Sequence, residues 1–233
     1  MEKRLNSNGL LKVLIYLGCV MLFCNAPFLN NQKPYMILRC KRKGWYLGEN
    51  MYLWLAAFIY MLFISLVSLI AVLPTVSTNR LWGEIAGDFV VNQRSLIPVY
   101  TWGLVMPVRV IQNYYPLAAF IYTFITGWLS IVFIGKLMYL LNLKIGKKTI
   151  GISAAVFFIM LDPVAVYFTN FKQYGLLYVS PINWSSLENI NTVSGYPHLS
   201  GEYMFIMYVI LIGVESLLSY ICSIKMDIEV KMI

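Results

Sequence analysis

Met36-Ile37-Leu38-Arg39-Cys40-Lys41-Arg42-Lys43-Gly44-Trp45-Tyr46 opens the segment whose reading decides the fold. Four cations stand within the five residues 39–43, and residues 51–73 then contain no charged residue before Pro74 closes the run. A helix rises ~1.5 Å per residue, so residues 51–73 cover a hydrocarbon core of ~30 Å with room for tilt. Lys and Arg are retained on the cytoplasmic side of a membrane, and Trp and Tyr favour the headgroup level. The knot is therefore expected inside, with Trp45 and Tyr46 at the interface, and this span runs from inside to outside. Every other segment is placed relative to it.

Composition agrees. The chain is 60% hydrophobic and 12% charged, with a mean hydropathy of +0.71. Soluble domains carry about 25% charged residues, so this chain reads as an integral membrane protein. The net charge of +8 is assigned to loop orientation and contact with anionic membrane lipid rather than to nucleic acid, which is not expected as a partner. Cys19, Cys24, Cys40 and Cys222 form no Cys-x-x-Cys pair and read as reduced packing residues. The single histidine, His198, cannot build a metal site without several partners.

Spans are expected at about residues 10–28, 51–73, 116–141, 150–168 and 203–224. The first is apolar apart from Lys12, behind a basic start. It fits a signal peptide, but cleavage would leave the knot outside, against the charge rule, so an uncleaved span is preferred. That choice puts Met1 outside although the N-terminus is itself basic. A translocated N-terminus, a re-entrant or interfacial first helix, and a missing span all stay open. Residues 35–46 mix apolar and basic side chains, as a short helix lying on the inner surface would. Residues 74–115 form a long outer connection, with 95–110 as interfacial or re-entrant pieces or, less in keeping with its two prolines, a span. Lys136, near the inner end of the third span, is expected to snorkel to the headgroups. Lys144, Lys147 and Lys148 mark the next loop as cytoplasmic. Asp162-Pro163 is expected to interrupt the fourth span. Residues 171–202 are poor in Lys and Arg and read as an outer loop, in which Ser180-Pro181-Ile182-Asn183-Trp184 looks like an ordered anchor. The fold class expected is an all-α integral membrane helical bundle of five transmembrane helices, or six, in a single domain over residues 1–233.

Asp162 and Glu215 are the intramembrane acids. A charge at mid-membrane costs ~2.5–3.5 kcal/mol on insertion scales, so such residues often mark transport or proton pathways; hydrogen bonding between helices is the structural alternative. Arg39, Lys41, Arg42, Lys43 and Trp45 have three readings: a topology signal alone, a contact for anionic lipid, or part of a docking surface for a cytoplasmic partner. No His-Glu-x-x-His, Gly-x-Ser-x-Gly or phosphate-binding loop is present, and no catalytic, cofactor or metal residues are assigned, so an enzyme is not expected.

The Arg39-x-x-Arg42-Lys43-x-Trp45 pattern leads into a span, Trp82-Gly83 follows that span, and Ser180-Pro181-x-x-Trp184 precedes the last one. In this spacing, from about residue 25 onward, the chain resembles the small bacterial permease subunits of the type-2 ABC exporter class, membrane proteins encoded beside an ATPase. That class commonly has six spans where five are read here. The resemblance implies a transmembrane half in the cell membrane that pairs with a second transmembrane subunit and with cytoplasmic ATP-binding subunits. ATP chemistry would then belong to the partner. A non-transporting immunity, sensory or scaffold subunit is the alternative function.

Overall fold

A computed structural model describes residues 7–28, 33–72, 110, 113–169, 175–187 and 200–225. The chain is an all-α helical bundle, with no strand among the described residues. Its helices are α1 (Ser7–Phe23), α2 (Lys33–Val72), α3 (Pro116–Ile145), α4 (Lys148–Thr169), the short α5 (Gly175–Val179) and α6 (Gly201–Lys225), with a 3-10 turn at Asn183–Ser185. Four of these are long and apolar enough to cross a membrane, over Ile37–Ile70, Pro116–Ile145, Lys148–Phe168 and Gly201–Lys225, and α1 supplies a shorter apolar helix. The protein is a multi-pass membrane protein.

Forty residues of α2 would extend ~60 Å if straight, twice the thickness of a hydrocarbon core. The helix is broken instead at Lys41, where φ is 59° and ψ is 164°. A non-glycine residue held there costs on the order of 1–3 kcal/mol and persists only where its flanks are fixed. Ile37 on one side and Trp45 and Tyr46 on the other are buried. The break thus falls inside the basic knot, earlier than the expected start of the span at residue 51. Trp45 and Tyr46, expected at headgroup level, turn into the bundle, each 7% exposed.

Pro116 starts α3 at a position whose N–H no helix uses. The helix ends at Gly146, whose φ of 74° suits a residue without Cβ, and whose N–H returns to the Asn142 carbonyl at 2.9 Å. The chain re-enters α4 directly, and Asn142 clamps the turn. Its Oδ1 accepts the Gly151 N–H at 3.0 Å while its Nδ2 donates to the Ala26 carbonyl at 2.6 Å. Gly151 permits this approach, because a Cβ there would lie 2.9 Å from the Met138 carbonyl oxygen. The expected interruption at Asp162-Pro163 does not occur, and α4 continues through Pro163 to Thr169. In apolar surroundings, a proline forfeits one backbone bond, whereas ending the helix would uncover several.

Helix α3 is the central element and touches α1, α2, α4, α6 and the 3-10 turn. Ring contacts Phe58–Phe124 and Trp54–Trp128 set α2 antiparallel to it. Lys148 donates to Asn25 just beyond α1, and Arg42 donates to the Ile224 carbonyl at the end of α6. The knot, the α3–α4 turn and the C-terminal ends of α1 and α6 therefore share one basic end of the bundle. At the opposite end lie α5, the 3-10 turn and the start of α6.

Helix α1 settles part of the N-terminal question. Cys19 and Phe23 are fully buried against α3, so α1 is packed inside the bundle rather than laid across its end. Its 17 residues measure ~25 Å, just under the hydrocarbon thickness. The expectations for the connection over 74–109, including Trp82-Gly83 and the piece beginning at residue 95, and for His198, lie outside the described residues.

Candidate functional site

Among the described residues, two charge clusters lie inside the bundle and a third group of charges lies on its basic end. Nearer the opposite end, Lys12 on α1 meets Asp162 on α4, with Nζ 2.9 Å from Oδ1. The same ammonium donates to Ser186 Oγ at 2.8 Å, and the two charged side chains are 17% and 5% exposed. One turn along α1, the Tyr16 hydroxyl bonds Ser130 of α3 and reaches Ser185 Oγ at 3.0 Å. The segment that supplies both serines is itself anchored, as the sequence predicts for Ser180–Trp184. Trp184 is 1% exposed, donates from Nε1 to the Leu177 carbonyl at 3.0 Å, and stacks edge-on against Tyr208. Tyr208 in turn donates to the Pro181 carbonyl at 2.6 Å. One cluster thus ties α1, α3, α4, α6 and the loop before α6 together.

The second cluster lies toward the basic end, between α2, α3 and α6. Lys136 is 3% exposed, so it does not snorkel to the headgroups as its position near the helix end suggests. Its Nζ donates to Ser216 Oγ and stands 5.7 Å above the Trp54 ring. A polar acceptor and an aromatic face together make the buried ammonium tolerable. Glu215, adjacent to Ser216, is 6% exposed, and its charge acts on that of Lys136. Its Oε2 is buried with no hydrogen-bond partner.

The residues of the knot separate by role. Arg39, Lys41 and Lys43 are exposed. Arg42 is half-buried and occupied, its guanidinium donating to Ile224 at the end of α6, where free carbonyls and the negative end of the helix dipole favour a cation. Trp45 packs in the core, and the Tyr46 hydroxyl donates to the Ser216 carbonyl at 2.8 Å. Beside them a groove of about 500 Å³ is lined by Phe28, Cys40, Gly44, Trp45, Gly48, Glu49 and Tyr52.

The structure does not bring the two intramembrane acids together; each has its own lysine on another helix. Sequence reasoning singles out Lys12 only as the charge in an apolar stretch, gives it no partner, and passes over Ser130, Ser185 and Ser186. The available signal was complementarity: an apolar stretch with one cation and another with one anion are both costly in lipid unless they meet. All four cysteines are free. Among the described residues, no group of His, Cys, Asp and Glu could hold a metal ion. No protein-family model, curated protein or solved structure matches this chain.

Proposed function

We propose that this multi-pass membrane protein is the transmembrane permease subunit of an ABC-type exporter in the bacterial cell membrane, working with a second transmembrane subunit and a cytoplasmic ATP-binding subunit. The observation that carries the reading is the rigid mounting of Arg39, Lys41 and Lys43. They surround a break in α2 whose following turn is pinned by Arg42 to α6 and by Trp45 and Tyr46 to the core. A partner that pushes on such an element moves the bundle instead of bending a loop. The permease contributes no ATP chemistry of its own, and its basic end also contacts anionic lipid.

The alternative is a non-transporting membrane subunit that binds a partner through the same cations. It is favoured by the closed Lys12–Asp162 pair, which offers no free charge to a moving substrate. Copurification separates the two, because a permease retains an ATP-hydrolysing partner in fixed stoichiometry. Replacing Arg39, Lys41 and Lys43 with Gln, and keeping Arg42, should release that partner while the protein stays inserted. Unchanged retention by this variant would mean that the knot serves orientation alone.

A further inference from the structure

Helix α6 changes character along its buried face. Met204, Tyr208 and Ile212 give way, toward the basic end, to Glu215, Ser219 and Ser223. The step falls at Glu215, whose surroundings differ from those of Asp162 in one telling respect. Lys12 and Asp162 form a closed contact at 2.9 Å with Ser186 as a further partner, the arrangement of a permanent structural pair. Lys136 instead spends its ammonium on Ser216 and the Trp54 ring, and leaves Glu215 Oε2 buried without a hydrogen-bond partner. A carboxylate oxygen with no donor is expensive in an apolar interior; a carboxyl that takes up a proton there removes its own charge.

We propose that Glu215 is a proton-binding site inside the bundle, with Lys136 as its fixed counter-charge and the hydroxyls of Ser219 and Ser223 as its route to the basic end. Ser219 Oγ donates to the Glu215 carbonyl at 2.6 Å and Ser223 Oγ to the Tyr220 carbonyl at 2.8 Å, so the two hydroxyls follow one another toward Lys225 along the same buried face. Binding converts the carboxylate and one proton from the basic side into a neutral carboxyl, and the local charge rises by one. Release reverses the step with no other reactant. Among the described residues, the titratable or charged groups on the neighbouring elements are Tyr46 of α2, whose ring stacks edge-on against Tyr220 of α6, Glu49 of α2, which with Tyr46 acts on Tyr139 of α3, and, at the end of α6, Arg42 and Lys225. Of these, Tyr46 donates to the Ser216 carbonyl and Arg42 to the Ile224 carbonyl. Small hydroxyl residues also let membrane helices approach closely, and the test separates that role from proton access. The site goes beyond the permease reading and needs no ATP-binding partner.

Trp54 is the built-in reporter, because Lys136 lies over its ring. The full-length protein in lipid nanodiscs is titrated with acid while tryptophan fluorescence and the infrared carbonyl band of protonated carboxyls are followed. A fluorescence transition that disappears in W54F, with a carboxyl band that rises over the same pH range and is absent in E215Q, supports the site. Should E215Q fail to fold, K136Q replaces it, and the common midpoint should move by about one pH unit or more on loss of the opposite charge. S219A/S223A should slow hydrogen–deuterium exchange of the carboxyl band at least several-fold while thermal stability holds. A carboxyl band that is unchanged in E215Q, or a midpoint unmoved in K136Q, overturns the assignment. Exchange in S219A/S223A as fast as in the unaltered protein overturns the serine route.

Discussion

Breaking the Lys12–Asp162 pair from either side should cost more than deleting it whole. At 2.9 Å and an effective dielectric constant of ~20, the attraction amounts to about 6 kcal/mol. Desolvating both ions offsets much of that, so the pair itself contributes modestly while a widowed partner is expensive. Lys12 retains 17% exposure, which places the single variants near the low end of the range for buried pairs. Asp162→Asn and Lys12→Met should each destabilise by about 2–3 kcal/mol, close to two decades in the unfolding constant. The combined variant K12M/D162N should lose only about 2 kcal/mol, a coupling of about 2–4 kcal/mol between the two positions. Reversible unfolding of the purified protein in mixed micelles, followed by far-UV circular dichroism, measures all three. Single costs that simply add in the double variant would refute the pairing.

Two further substitutions test the packing. Gly151→Ala should destabilise by about 1–3 kcal/mol, because its Cβ meets the Met138 carbonyl and displaces the Asn142 clamp; thermal unfolding in detergent is the readout, and a neutral effect would mean that the α3–α4 turn is looser than described. Trp184→Ala should cost about 3–5 kcal/mol, since a fully buried indole and its bond to Leu177 are both lost; protection of the loop before α6 from limited proteolysis should fall with it.

The long apolar runs made the helices legible, and the lysines around residues 144–148 with Gly146 between them made the α3–α4 hairpin legible. Local signals of this kind act within one segment. What could not be read was which side of each helix faces protein. In a soluble helix the polar stripe marks the outside, whereas here lipid and core are both apolar. Ile134 is fully buried and Ile121 is half exposed on the same helix, with nothing in residue type to tell them apart. The misreading of Lys136 has that origin, because distance from the membrane surface suggests snorkelling whereas Ser216 and Trp54 on other helices decide its direction. Pro163 was misread for a related reason, as breaking rules learned in water underweight the need to keep backbone bonds in lipid.

The knot, the α3–α4 turn and the end of α6 share one end of the bundle, and the charge-rule expectation that this end is cytoplasmic is tested most directly by cysteine accessibility. Cys19, Cys24, Cys40 and Cys222 are first replaced, and single cysteines are then introduced at the exposed positions Lys43, Lys147 and Glu202. In intact cells a membrane-impermeant thiol reagent should label position 202 and spare positions 43 and 147, and permeabilisation should expose all three. Labelling of position 43 or 147 from outside, with 202 protected, would contradict the arrangement.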